Sequence, residues 1–170
     1  LRIADVYRQG AEYTKARENL DLSLDIYTKK KDLTGRFDVI SAIGTLHHYR
    51  YNDSLANKYY NQALEIAIEL KDKDGIASSY SNLGNVLRFS HGDSAVTFFN
   101  KAIALYTELG SISGLSSCYN NMAIIYANKS DYNKSEVYFL KSYDAKKKLN
   151  LIIGQALTLN NLAFLTYNNA

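Results

Sequence analysis

Between residues 75 and 89, Ile76, Tyr80, Leu83 and Leu87 fall at three- and four-residue spacings, one face of a 3.6-residue period. This spacing predicts an amphipathic helix. The run His91-Gly92-Asp93-Ser94 interrupts it, and Asp93 or Ser94 is the expected N-cap of the next element. Residues 95–109 resume the pattern with Ala95, Phe98, Phe99, Ala102, Ile103, Tyr106 and Leu109. Gly110 is then placed to end that helix in the left-handed conformation.

The two-helix pattern recurs along the chain. Gly35, Gly75, Gly114 and Gly154 stand 40, 39 and 40 residues apart. Each is followed by a large apolar and a small residue: Ile43-Gly44, Leu83-Gly84, Met122-Ala123 and Leu162-Ala163. Further on come a small and a bulky residue four apart, Ala56/Tyr60, Ala95/Phe99 and Ser135/Phe139, then Ala63, Ala102 and Ser142. Residues before Gly35 keep the same register, with Ile3-Ala4, Tyr7, Ala16, Leu20 and Ser23. Self-similarity at this period marks a repeat architecture, in which each helical hairpin buries its apolar face only by stacking on its neighbours. The small residues let paired helices approach closely, and Phe99 is expected to fill the space beside Gly84.

The expectation is an all-α chain, an α-α superhelix of antiparallel helix pairs forming one array over 1–170. It divides into a partial repeat over 1–34, repeats over 35–74, 75–113 and 114–153, and the first helix of a further repeat over 154–170, nine helices in all. The chain begins at Leu1 within a first helix and stops at Ala170 without the matching second one, which reads as a piece of a longer array. Leu157, Leu162 and Leu165 are expected to present apolar surface there, so this open end should self-associate or fray.

The stretch Asn82-Leu83-Gly84-Asn85, with Gly92-Asp93, Ala95, Phe99 and Ala102, resembles the tetratricopeptide repeat. So does Asn121-Met122-Ala123 with Tyr126, Ser130-Asp131-Tyr132 and Phe139. The likeness extends over essentially the whole chain. It departs from the usual pattern in a period above the common value of about 34 and in the absence of any proline. Longer units of this kind are similar to those of kinesin light chains and of bacterial peptide-responsive regulators.

That resemblance implies that first helices face the concave side of the superhelix. Ala42, Asn82, Asn121 and Asn161 would occupy one rung on that side, and Thr45, Asn85, Ile124 and Phe164 the next. Ser78 and Ser117 stand one turn before Asn82 and Asn121. Asparagine offers a donor and an acceptor together, so aligned asparagines can grip a peptide backbone without reading its side chains. Ile124 and Phe164 would add apolar selectivity. The implied function is a non-enzymatic protein- and peptide-binding scaffold, the alternative being the peptide-sensing domain of a bacterial signalling or transcriptional regulator whose output domain lies outside this chain. Chaperone-binding members grip a C-terminal carboxylate with cations at ladder positions. No cation occupies these positions here, which argues against that role.

Composition narrows the rest. Twenty basic and 17 acidic residues leave a net charge of +3, too balanced to imply a nucleic-acid partner. Lys29-Lys30-Lys31 and Lys146-Lys147-Lys148 fall at the ends of second helices, where cations complement the helix dipole, and are expected to be solvated. No apolar run is long enough to span a membrane. The abundance of Asn, Lys and Tyr fits a low-GC bacterial genome, with cytoplasm and periplasm both open. One cysteine excludes an internal disulfide.

No catalytic constellation emerges. His47 and His48 diverge by about 100° on a helix and cannot share a metal. His47 stands where Tyr126 stands in its own repeat, which predicts a packed, hydrogen-bonded core histidine. His91 falls in a turn, and Cys118 is expected to be an inert buried thiol. No phosphate-binding glycine loop, His-Glu-x-x-His or paired-cysteine motif is present, so no cofactor or metal is implied.

Overall fold

A computed structural model describes residues 3–168, with side chains from Gly10 to Tyr167 except Ala11. Leu1 and Ala170, and the side chains of Ile3, Ala4 and Tyr7, lie outside what is described. The described residues form eight helices and no strand: α1 Ile3–Lys29, α2 Leu33–Tyr49, α3 Asp53–Leu70, α4 Lys73–Leu87, α5 Gly92–Glu108, α6 Ile112–Asn128, α7 Tyr132–Lys148 and α8 Ile152–Asn168.

Nine helices were expected, and the difference lies at the start. α1 runs unbroken through the position where the first hairpin should turn. Later turns are capped by Asn52, which accepts from the Leu55 amide, and by Asp131, which accepts from Lys134. Glu12 stands at the matching position. Its longer side chain is a poor N-cap, and the helix continues.

Each repeat glycine lies inside a first turn rather than at the helix start. Asp32 caps α2 by accepting from the Gly35 amide at 2.9 Å, and Ser111 caps α6 by accepting from the Gly114 amide at 3.4 Å. These glycines also make room: a Cβ on Gly114 would lie 2.6 Å from the Tyr106 ring, and Gly35 faces Tyr27 in the same way. Gly110 ends α5 at φ +66, as expected. Asp93 and Ser94 do not cap α5. His91 takes the cap position without a side-chain bond, and Asp93 pairs with Lys129 instead.

The chain divides into two compact units, Leu1–Gly75 and Ile76–Ala170. In the first, Ile40, Ala63 and Ile66 form a core with Leu24, Phe37 and Tyr59, and Gly44 abuts Tyr60. In the second, Phe99 is fully buried among Ala77, Ala95, Ala102, Cys118 and Met122. The Phe99 ring lies so close to Gly84 that an added Cβ would stand 2.9 Å from it. The α6–α7 pair repeats this packing with Ala123 and Phe139, but its small positions are serines. Ser135 donates to the Ala123 carbonyl and Ser142 to the Ser116 carbonyl.

Leu165 is not the open apolar surface expected of it. It is buried against Ala123 and Phe139, with Leu162 half-buried beside it. Both occupy the register positions that pack back onto the preceding pair. Ile152, Ile153, Leu157, Leu159, Phe164 and Tyr167 carry the exposed apolar surface of α8.

Candidate peptide-binding face

In the unit Ile76–Ala170, helical spacing places three stripes at the same register on alternate helices. Ser78, Asn82 and Asn85 lie at i, i+4 and i+7 on α4; Ser117, Asn121 and Ile124 repeat that spacing on α6; Leu157, Asn161 and Phe164 repeat it on α8. Ser78, Asn82, Asn85 and Ile124 are half-buried, and Ser117, Asn161 and Phe164 are exposed.

Asn121 departs from the expected ladder. It is buried, donating from Nδ2 to Asn85 Oδ1 at 2.8 Å and accepting at Oδ1 from Arg88 Nη1 at 2.7 Å. A donor and an acceptor of its amide are therefore spent inside the protein. Thr45, in the unit Leu1–Gly75, is likewise turned inward. Its hydroxyl donates to the Ser41 carbonyl and meets the Tyr60 hydroxyl, both at 3.0 Å. Ile124 packs partly against the core of Ala123, Phe139 and Leu165.

Sequence reasoning missed Arg88. It stands just past the end of α4, three residues beyond Asn85, a spacing that could have found it. Its guanidinium lies 4.6 Å from the Phe89 ring centroid, and its buried Nε has no hydrogen-bond partner. Burial lowers its pKa from the ordinary arginine value. No cation occupies the ladder positions themselves, but Arg88 brings one beside them through Asn121.

The other polar candidates are structural. His47 is buried and stacked on Tyr59 at 5.4 Å and 4°, the geometry that Tyr126 and Tyr138 repeat at 5.5 Å and 5°. It meets Arg17 Nη1 through Nε2 at 2.9 Å and the Tyr13 hydroxyl through Nδ1 at 3.4 Å. Burial, then the Arg17 charge, depresses its pKa. Cys118 is buried, and burial pushes its thiol up to about 11, which suppresses the reactive thiolate. Among the lysine runs, Lys147 and Lys148 are exposed as expected, but Lys146 is half-buried and donates to Thr158 Oγ1 at 2.7 Å. Among the described residues no group of three His, Cys, Asp or Glu side chains could hold a metal, and no helix is long and apolar enough to cross a membrane.

Antiparallel helix pairs repeating at about 40 residues, with small residues at the helix contacts, define a helical-repeat protein of the α-α superhelix class. Two tetratricopeptide repeat family models match the chain, over residues 43–108 and 115–150. The chain belongs to the tetratricopeptide repeat family. Among solved structures it is similar to the crystal structure of BtubC (BKLC) from P. vanneervenii, at 21% sequence identity and a TM-score of 0.78, over 94% of this chain and 66% of that one. It thus spans just under two thirds of that protein. No curated protein matches it. Repeats of this family generally mediate protein–protein interaction and scaffolding, and are typically non-catalytic.

Proposed function

We propose that this chain is a non-catalytic scaffold whose unit Ile76–Ala170 holds an extended peptide across α4, α6 and α8. The observation that carries this reading is the linked set Asn85, Asn121 and Arg88. The Arg88 guanidinium is half-buried and held by Asn121 through Nη1, so a peptide carbonyl or carboxylate reaching its exposed edge would meet a fixed, charge-assisted donor. Asn82 and the free amide hydrogens of Asn85 supply backbone contacts, and Ser117 and Asn161 extend the polar face. Polarity falls from Arg88 at the end of α4 to Phe164 and Leu157 on α8. The preferred ligand therefore has an acceptor-rich end toward α4 and an apolar side chain toward α8.

Selection of a displayed random-peptide library on the whole protein, followed by calorimetry on the selected peptides, tests this. Asn82→Ala and Arg88→Gln should each weaken binding about tenfold, a loss of about 1.4 kcal/mol, while exposed Lys29→Ala leaves it unchanged. Peptides that bind all three variants alike, or a selection that yields no binder, would overturn the proposal.

A further inference from the structure

The unit Leu1–Gly75 contains a cavity of about 520 Å³ that the peptide-binding face does not use. Three tyrosines line it, Tyr13, Tyr49 and Tyr51, with Leu46 and one charge of each sign, Glu12 and Arg50. Its volume falls within the range of about 300–1,000 Å³ common to ligand sites.

The three rings differ in how they are held. Tyr13 is fixed: its ring meets the His47 ring edge-on at 6.3 Å, and the Arg50 guanidinium covers it at 5.0 Å. Tyr49 and Tyr51 are 77% and 93% exposed, so folding accounts for neither ring. Their hydroxyls have no hydrogen-bond partner among the described residues. Tyr51 holds φ 57, the left-handed turn position that Lys31, Lys71, Ser130 and Asn150 also occupy after their helices. The result is an open depression beside a held Tyr13 ring, with two exposed phenol donors and balanced charge.

We propose that this cavity binds a proline-rich segment of a partner protein in the polyproline II conformation. That helix makes no internal hydrogen bonds, so its carbonyls need outside donors, which the Tyr49 and Tyr51 hydroxyls supply. Pyrrolidine rings pack on aromatic faces, and a preformed helix loses little entropy on docking. Glu12 and Arg50 offset one another, which disfavours a polyanion such as a nucleic acid.

The test is titration of the whole protein with a polyproline peptide, followed by tyrosine fluorescence and tyrosine ring NMR shifts, with a glycine–serine peptide of equal length as reference. The polyproline peptide should shift Tyr13, Tyr49 and Tyr51, and the reference should not. Tyr49→Ala and Tyr51→Ala, both at exposed positions, should weaken binding about tenfold or more, and Tyr49→Phe should lose part of that through its missing hydroxyl. Asn82→Ala should bind polyproline normally, which separates this site from the peptide-binding face. Equal response to the two peptides, or unchanged affinity in both alanine variants, would overturn the proposal.

Discussion

Asn121 donates from Nδ2 to Oδ1 of Asn85 at 2.8 Å, tying the first helix of one repeat to that of the next. The same Asn121 accepts from Arg88, so one buried amide orders Asn85 of α4 and Arg88 in the turn that follows it. Replacing it by alanine strands a donor and an acceptor at once. Asn121→Ala should cost about 1–3 kcal/mol of unfolding free energy, while exposed Asn161→Ala should stay within about 0.5 kcal/mol. In a urea-melt double-mutant cycle, Asn85→Ala and Asn121→Ala should couple by at least about 0.5 kcal/mol. Strict additivity would show that the bond does not form in solution.

Gly84 tests the close approach of α4 and α5. An added Cβ there would stand 2.9 Å from the fully buried Phe99 ring, which has no room to withdraw. Gly84→Leu should therefore cost at least about 1–3 kcal/mol from overpacking. The paired change Gly84→Ala with Phe99→Leu should be milder than Gly84→Leu. Thermal melts that rank these variants the other way would place the α4–α5 contact elsewhere.

Acid should loosen the unit Leu1–Gly75. The groups facing His47 are Tyr13, Arg17 and Asp21 of α1 and Tyr59 of α3. Burial and the Arg17 charge hold its folded pKa below the ordinary 6.5, so the neutral ring is the folded form. Its contribution to stability is complete above about pH 6.5 and is lost as pH falls through the lower folded value. His47→Tyr, which installs the residue found at Tyr126, should flatten stability between pH 7 and pH 5 compared with the parent chain. A pH profile of unfolding midpoints that is identical for the two proteins would refute the assignment.

The repeat itself was legible before any coordinates. Gly84 with Phe99, and Ala123 with Phe139, meet as their spacing requires, because a 3.6-residue period fixes which side chains share a face. Gly110 closes α5 in the left-handed region for the same local reason. His47 was legible as a core residue from its register, and Cys118 as a buried thiol with no histidine near it in sequence. The nine-helix count failed at α1, where Glu12 stands at the position of the capping Asn52 and Asp131 and the helix runs on.

Tertiary structure alone decided which polar side chains remain available. The period places Asn82, Asn85, Asn121 and Asn161 on equivalent faces, but it does not show that Arg88 reaches Asn121 and closes it off. Thr45 and Lys146 turn inward for the same kind of reason, toward Tyr60 and Thr158, partners 15 and 12 residues away. Periodicity is a property of one helix, whereas a buried polar group is satisfied by whatever its neighbours bring. The sequence by itself determined the family, the hairpin and its small-residue contacts; the packing of one hairpin on the next determined which asparagines are spent on internal hydrogen bonds and which stay open to solvent.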